Sequence, residues 1–434
     1  MIVAGDLLLL AGGLGLLRLA CPGPWPFGVA GGLGLGFLCG SVALALATTL
    51  LGVAGLPLWP VVLALGGLAA AGLRRGRPLP DGGRTAGLAG VAAGALGAWL
   101  AIAAASGRVV LNDEYAIWAL RGRALSLADG LGSPVFTDAA AQYQHLDYPL
   151  LVPALVGWAD RWSSGAPEGP AHVQVALLAG AMLLVVGWAV ARLAGPLAAA
   201  AAVLLAVAPT RFAEMTQRVH ADVPAAAFAV ATLLLVAVWL RDEEDDRLLR
   251  VAAITAAGAV YTKNEGALYG LATFAAAALV ARRRRPVALA AAAAALAYAP
   301  WALWTRAHGI HSDVLNRATL RPSRLLDELD RLGAIWSGMS GAWPTALWAL
   351  VAAAVAGALG ARAGHARLVV LLAGTVAASL AGLAFVYVAT PLELEGQLRV
   401  SAYRVQLYPA LVVLLSIPLL AGLAARASPE SPRS

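Results

Sequence analysis

Apolar runs of roughly 17 to 25 residues recur along almost the whole chain, and each is long enough to cross a hydrocarbon core of about 30 Å as a helix. No other feature limits the fold so severely, because backbone in contact with lipid must satisfy its own hydrogen bonds, as only helices and closed barrels do. Barrel strands would read as segments of about ten residues with alternating polarity, a pattern the sequence lacks. Hydrophobic residues make up 60% of the 434 and charged ones 13%, with a mean hydropathy of +0.77, well outside the balance of a soluble domain. The expected fold is an all-α polytopic membrane protein with about thirteen transmembrane helices. They fall near residues 4–20, 28–52, 56–73, 86–106, 171–192, 195–209, 222–240, 248–262, 266–281, 286–305, 343–360, 368–389 and 404–424.

The formal charge of +7 would suggest a nucleic-acid partner in a soluble protein. Here the excess gathers in short arginine clusters beside apolar runs, so the sequence argues for topology and against nucleic acid. Arg74 to Arg77, Arg241 to Arg250, Arg282 to Arg285 and Arg362 to Arg367 lie at alternate turns and can all be cytoplasmic together. The acidic run Asp242 to Asp246 then reads as part of a solvated cytoplasmic loop. That orientation divides the chain into about three N-terminal spans in 1–85, a module over 86–424 and a cytoplasmic tail at 425–434. It puts loops 107–170, 306–342 and 390–403 outside the cytoplasm. The first of these loops has the pattern of interfacial helices, at 111–125 and again after Tyr148. Two of the loops are far longer than joining spans requires, so an extracytoplasmic site is expected on a plasma-membrane (inner-membrane) protein. Cys21 and Cys39, the only cysteines, imply neither a disulfide nor a metal site.

Nearly all the unusual polar residues share those outer segments. Asn112, Asp113 and Glu114 open an amphipathic stretch in which Ile117, Trp118, Leu120 and Leu125 would face the bilayer and Arg121 and Arg123 water. Asn112 or Asp113 can cap that helix, which does not exclude catalysis, since an acid fixed at a helix start is also a well-held general base. Further along, His145 and Asp147 precede Tyr148 and Pro149 and could bind a sugar or ligate a metal. His220 and Asp222 stand before Pro224, where Asp222 reads as a cap. Lys263, the single lysine among 31 basic residues, sits with Asn264 and Glu265 in a tight outer turn. Snorkelling explains a lysine there, but its compact ammonium also suits a phosphate oxygen. Arg399 and Arg404 stand at the outer start of the last span, where an arginine entering hydrocarbon must snorkel or meet an anion. His308, His311 and Asp313 have metal-compatible spacing, yet no second coordinating motif goes with them, and a surface loop is the simpler reading.

Taken together, Asp113-Glu114, His145-Leu146-Asp147-Tyr148-Pro149, Ala221-Asp222-Val223-Pro224, Thr262-Lys263-Asn264-Glu265-Gly266 and Ser401 to Arg404 followed by Gln406 and Pro409 resemble the polytopic GT-C glycosyltransferases. The similar branch is that of bacterial protein O-mannosyltransferases, aminoarabinose transferases and arabinofuranosyltransferases (glycosyltransferase family 39-like). The resemblance implies transfer of a sugar, with inversion, from a polyprenyl-phosphate carrier to an extracytoplasmic glycan, protein or lipid. It casts Asp113 as general base and Lys263, Arg404 and Arg399 as binders of the donor phosphate. Glu114, His145, Asp147, Tyr148, His220, Asp222 and Glu265 become substrate-binding residues, and metal dependence stays open. The chain departs from the usual layout in its three leading spans. The rival class is a transporter or flippase, which would carry ionisable groups or broken helices near the bilayer midplane; here the span centres are nearly free of charge.

Overall fold

The computed structural model describes residues 1–76, 87–107, 113–138, 140, 145–163, 168–316, 319–342 and 346–427. Asn112 therefore lies outside the described residues. Among those described, every regular element is a helix and there is no strand. Every apolar run named above coincides with a helix or a helix pair. In order these are α1 (Ile2–Ala20), α2 (Gly28–Val53), α3 (Pro60–Arg74), α4 (Gly87–Ala105), then in the first large loop a π-helical turn (Glu114–Ala119) that runs into α5 (Leu120–Ala128), and α6 (Leu151–Trp162). The middle of the chain supplies α7 (Glu168–Ala194), α8 (Pro196–Val207), α9 (Thr210–Thr216), α10 (Asp222–Leu240), α11 (Asp246–Val260), α12 (Asn264–Val280), α13 (Arg284–Ala297) and α14 (Ala299–Ala307). After the short helices α15 (Pro322–Asp327) and α16 (Leu332–Gly341) come α17 (Ala346–Gly360), α18 (Ala366–Ala389), α19 (Leu394–Val405) and α20 (Leu407–Ala427).

By length and composition, seven helical stretches among the described residues can cross a membrane, or eight if the bent pair α8 and α9 counts as one. The expected thirteen exceed this because several members of the bundle are short: α3 and α11 have 15 residues each and α12 has 17. Three of the seven stretches also join two helices each: α13 with α14, α17 with α18 across Gly364 at φ 86, and α19 with α20. The coarser expectation holds: the chain is a multi-pass membrane protein whose described elements are all helices.

α10 occupies the centre. All 19 of its residues are buried, as its uniform apolarity requires, and α7, α11, α12 and α20 surround it. At the periphery, Leu289, Leu296, Leu303 and Trp348 stay 60–76% exposed, as lipid-facing positions would. The glycine-rich N-terminal helices pack by close backbone approach: a Cβ on Gly13 would come within 1.7 Å of the Gly36 carbonyl oxygen, and one on Gly15 within 2.0 Å of that of Leu68. Small residues are what bring α2 and α3 against α1 this tightly.

One end of the bundle is tied by charge. Glu243, 4% exposed, accepts the backbone N–H groups of Arg282 and Arg283 at 3.1 and 2.7 Å and pairs with Arg367. Arg283 also pairs with Asp246 at 2.7 Å. The acidic run is thus a knot joining three arginine-bearing connections, where the sequence suggested a merely solvated loop. Arg247, bonded to Asp245 and to the carbonyls of Pro22 and Pro24, brings the turn between α1 and α2 to the same end.

A charged cluster at the opposite end

Both acids that local capping would explain leave their helix starts uncapped. Asp113 precedes the π-helical turn and Asp222 begins α10, and neither start has a side-chain capping bond. Each carboxylate instead meets a cation from a remote segment. Asp113 Oδ2 accepts from Arg404 Nη1 at 2.8 Å, and Asp222 Oδ1 accepts from Lys263 Nζ at 2.8 Å. Lys263 also faces Glu265 Oε1 at 3.3 Å. Arg404 Nη1 lies 3.5 Å from His220 Nδ1, and the charge of Asp222 acts on both Arg404 and His220, so the two pairs form one cluster.

Burial sets the electrostatics. Lys263 is 6% exposed, so its ammonium does not snorkel to water. Desolvation opposes its charge, but Asp222 and Glu265 hold its pKa above the ordinary lysine value. His220 is pushed down to about 4, chiefly by burial and with Arg404 acting in the same direction, against the pull of Asp222. Its ring is neutral at physiological pH and can take the Arg404 proton contact on Nδ1. The buried Nε2 of His220, Oε2 of Glu265 and Nε of Arg404 have no hydrogen-bond partner, so the cluster keeps polar capacity in reserve.

Glu114 is 1% exposed; its Oε1 accepts the Val219 N–H at 2.8 Å and stands 3.5 Å from His172 Nε2. It ties the first loop to the segment leading into His220. His145 stacks on Tyr148 at 4.4 Å, and Tyr148 stacks on Trp118 at 5.4 Å. Asp147 Oδ2 accepts from Asn264 Nδ2 at 2.7 Å, one residue from Lys263. Burial pushes the Asp147 carboxyl above the usual range, against that hydrogen bond. Arg399, exposed on α19, does not join the cluster's bonds; with Arg211, Glu393, Tyr403 and Gln406 it lines an open, largely apolar cleft of about 1320 Å³ bounded by α9, α16, α17, α18, α19 and α20.

Two residues fall where the sequence did not put them. Arg121, expected to face water, is fully buried and sits 5.4 and 5.5 Å from the ring centroids of Phe136 and Trp301. Burial pushes its pKa down to about 10. Asp313, taken as part of a surface loop, accepts or shares a proton with His145 Nδ1 at 2.8 Å. The separate signals HLD and HGIHSD were each readable, but only the fold joins them.

The family model of dolichyl-phosphate-mannose-protein mannosyltransferases matches residues 166–304. That segment runs from the start of α7 into α14 and carries His220, Asp222, Lys263 and Glu265, whereas Asp113 and Arg404 lie outside it. No curated protein and no solved structure matches the chain. The match spans about a third of the chain, and it supports membership of the GT-C superfamily of multi-pass membrane glycosyltransferases.

Proposed function

We propose that the protein transfers a sugar from a polyprenyl-phosphate-linked donor to an acceptor outside the cytoplasm, with inversion at the anomeric carbon, in the plasma (inner) membrane. The observation that carries this reading is the 2.8 Å pair between Asp113 and Arg404. It joins a carboxylate and a guanidinium 291 residues apart, and Tyr403 and Gln406, near Arg404 in the chain, line the largely apolar cleft of about 1320 Å³ that would take the prenyl chain.

The chemistry needs three things. An acceptor hydroxyl must lose its proton as it attacks, the anomeric centre passes through an oxocarbenium-like state, and the phosphate leaves already stable as an anion. Asp113 takes the proton. Arg404 holds the departing phosphate, a planar fork well suited to two phosphate oxygens. A donor phosphate arriving there competes with Asp113 for the guanidinium and so frees the carboxylate to act as base. Lys263 is already satisfied by two carboxylates and contributes fixed positive charge at short range, which is worth most where water is excluded. Arg399 and Arg211 guide the anionic head at the rim of the cleft. Glu114, His145, Asp147, Tyr148, His220, Asp222 and Glu265 shape the sugar and acceptor side.

The test is transfer from a radiolabelled polyprenyl-phosphate sugar in membranes that carry the protein. Asp113→Asn keeps the shape and the Arg404 contact but removes the base, and transfer falls by about 10²- to 10⁴-fold while expression and melting temperature stay near wild type. Retained transfer in Asp113→Asn, or movement of an intact donor across the bilayer with no glycosylated product, would falsify the proposal; the second outcome is that of a flippase.

A further inference from the structure

Loops distant in the chain deliver metal-ligating atoms to one spot. His145 and Asp147 come from the first large loop and Asp313 from the segment after α14, and one ligand atom from each lies within 4.8 Å of the other two. His145 Nδ1 and Asp313 Oδ1 are already 2.8 Å apart. Asp147 is 9% exposed, and only one of its two oxygens is used: Oδ2 accepts from Asn264, whereas Oδ1 is sealed from solvent with no hydrogen-bond partner. A buried carboxylate oxygen left this way is rare, because burial normally demands a partner. The Asp313 side chain is 37% exposed and leaves an entry path from water.

We propose that His145, Asp147 and Asp313 bind a divalent transition-metal ion, zinc or manganese, which clamps the first large loop to the loop that follows α14. One imidazole nitrogen with two carboxylate oxygens is a donor set these ions accept, while magnesium and calcium prefer oxygen alone. Donors around such an ion stand roughly 3 to 3.5 Å apart, so small rotations of these side chains close the set. Supporting contacts are in place: Asn264 orients Asp147, and Tyr148 lies flat against the His145 ring with the planes 8° apart. Outer contacts of this kind fix ligand geometry. Three protein donors leave further positions for water or a substrate oxygen. The site is independent of the role assigned to Asp113, and no step of sugar transfer passes through it here.

Tag-free, full-length protein in detergent is stripped with EDTA, titrated with zinc or manganese chloride and assayed for retained metal after desalting. One equivalent is expected, together with a nitrogen coupling from imidazole in the pulsed electron paramagnetic resonance of the manganese form. His145→Ala and Asp313→Asn should each weaken binding by more than the ~10- to 100-fold typical of losing an outer contact. Should those variants fail to fold, the double variant His308→Ala/His311→Ala decides, since it must keep the nitrogen coupling. No retained metal, an absent coupling in that double variant, or folded His145 and Asp313 variants that bind like wild type each overturn the assignment and leave His145 and Asp313 as a hydrogen-bonded pair only.

Discussion

Asp222 and Lys263 show how local sequence logic can be outbid by a partner 41 positions away. A carboxylate at the first position of a helix with proline in the first turn reads as a cap, and a lysine at a membrane-flanking turn reads as a snorkelling group. Both readings assume that the side chain has only its neighbours and solvent to choose from. Here each is more than nine-tenths buried, and the pair satisfies itself. Removing one partner of a buried ion pair leaves an uncompensated charge and typically costs about 3–5 kcal/mol. Lys263→Met should therefore lower the melting temperature in detergent sharply, and adding Asp222→Asn to it should recover much of the loss. Equal melting temperatures for the wild type and Lys263→Met would show that the ammonium is not paired in a dry environment. At this scale the sequence disclosed which residues were unusual, Lys263 by being the single lysine and Asp113 by its place at the mouth of a span. It could not disclose that Arg404 would be the partner of Asp113, or that Asp313 would answer His145, because both contacts depend on tertiary geometry.

The helices of the first large loop repeat the lesson one level up. Their amphipathic period was legible, but which surface their apolar side would cover was not. The sequence suggested lipid; the structure gives protein. Ile117, Trp118 and Leu125 are buried because α5 lies on α6, and the contact is close enough that a Cβ on Gly122 would stand 2.4 Å from Val156 Cβ and 2.9 Å from the Pro153 carbonyl oxygen. That approach draws Arg121 inward, over Phe136 and Trp301, and the Trp301 indole N–H in turn bonds the Asp147 carbonyl at 2.9 Å. Gly122→Leu should force the two helices apart. The expected result is a lower melting temperature together with at least tenfold weaker sugar transfer, because Asp113 is carried at the head of the same segment. Unchanged transfer would mean that the position of Asp113 does not depend on this packing.

For the molecule as a whole, the arginine clusters read from sequence identified a shared end before any coordinates did, and the knot around Glu243 gathers three of the connections expected there. The opposite end carries Asp113, His220, Lys263 and Arg404. What sequence could not supply was the count of full spans, since short helices such as α11 and α12 hold their places by packing against α10 and not by length. The two-ended arrangement is testable with single cysteines. Cys21 and Cys39 are buried, whereas Arg75 and Glu395 are exposed. In intact cells a membrane-impermeant maleimide should label Glu395→Cys and reach Arg75→Cys only after permeabilisation; labelling of both from one side would invert or dissolve the topology. The Glu243 knot has a mechanical corollary. Helices pinned together at one set of tips behave like the ribs of a fan held at the rivet, so whatever spreading admits a bulky lipid-borne guest must happen at the far rim, beside the Asp113–Arg404 pair.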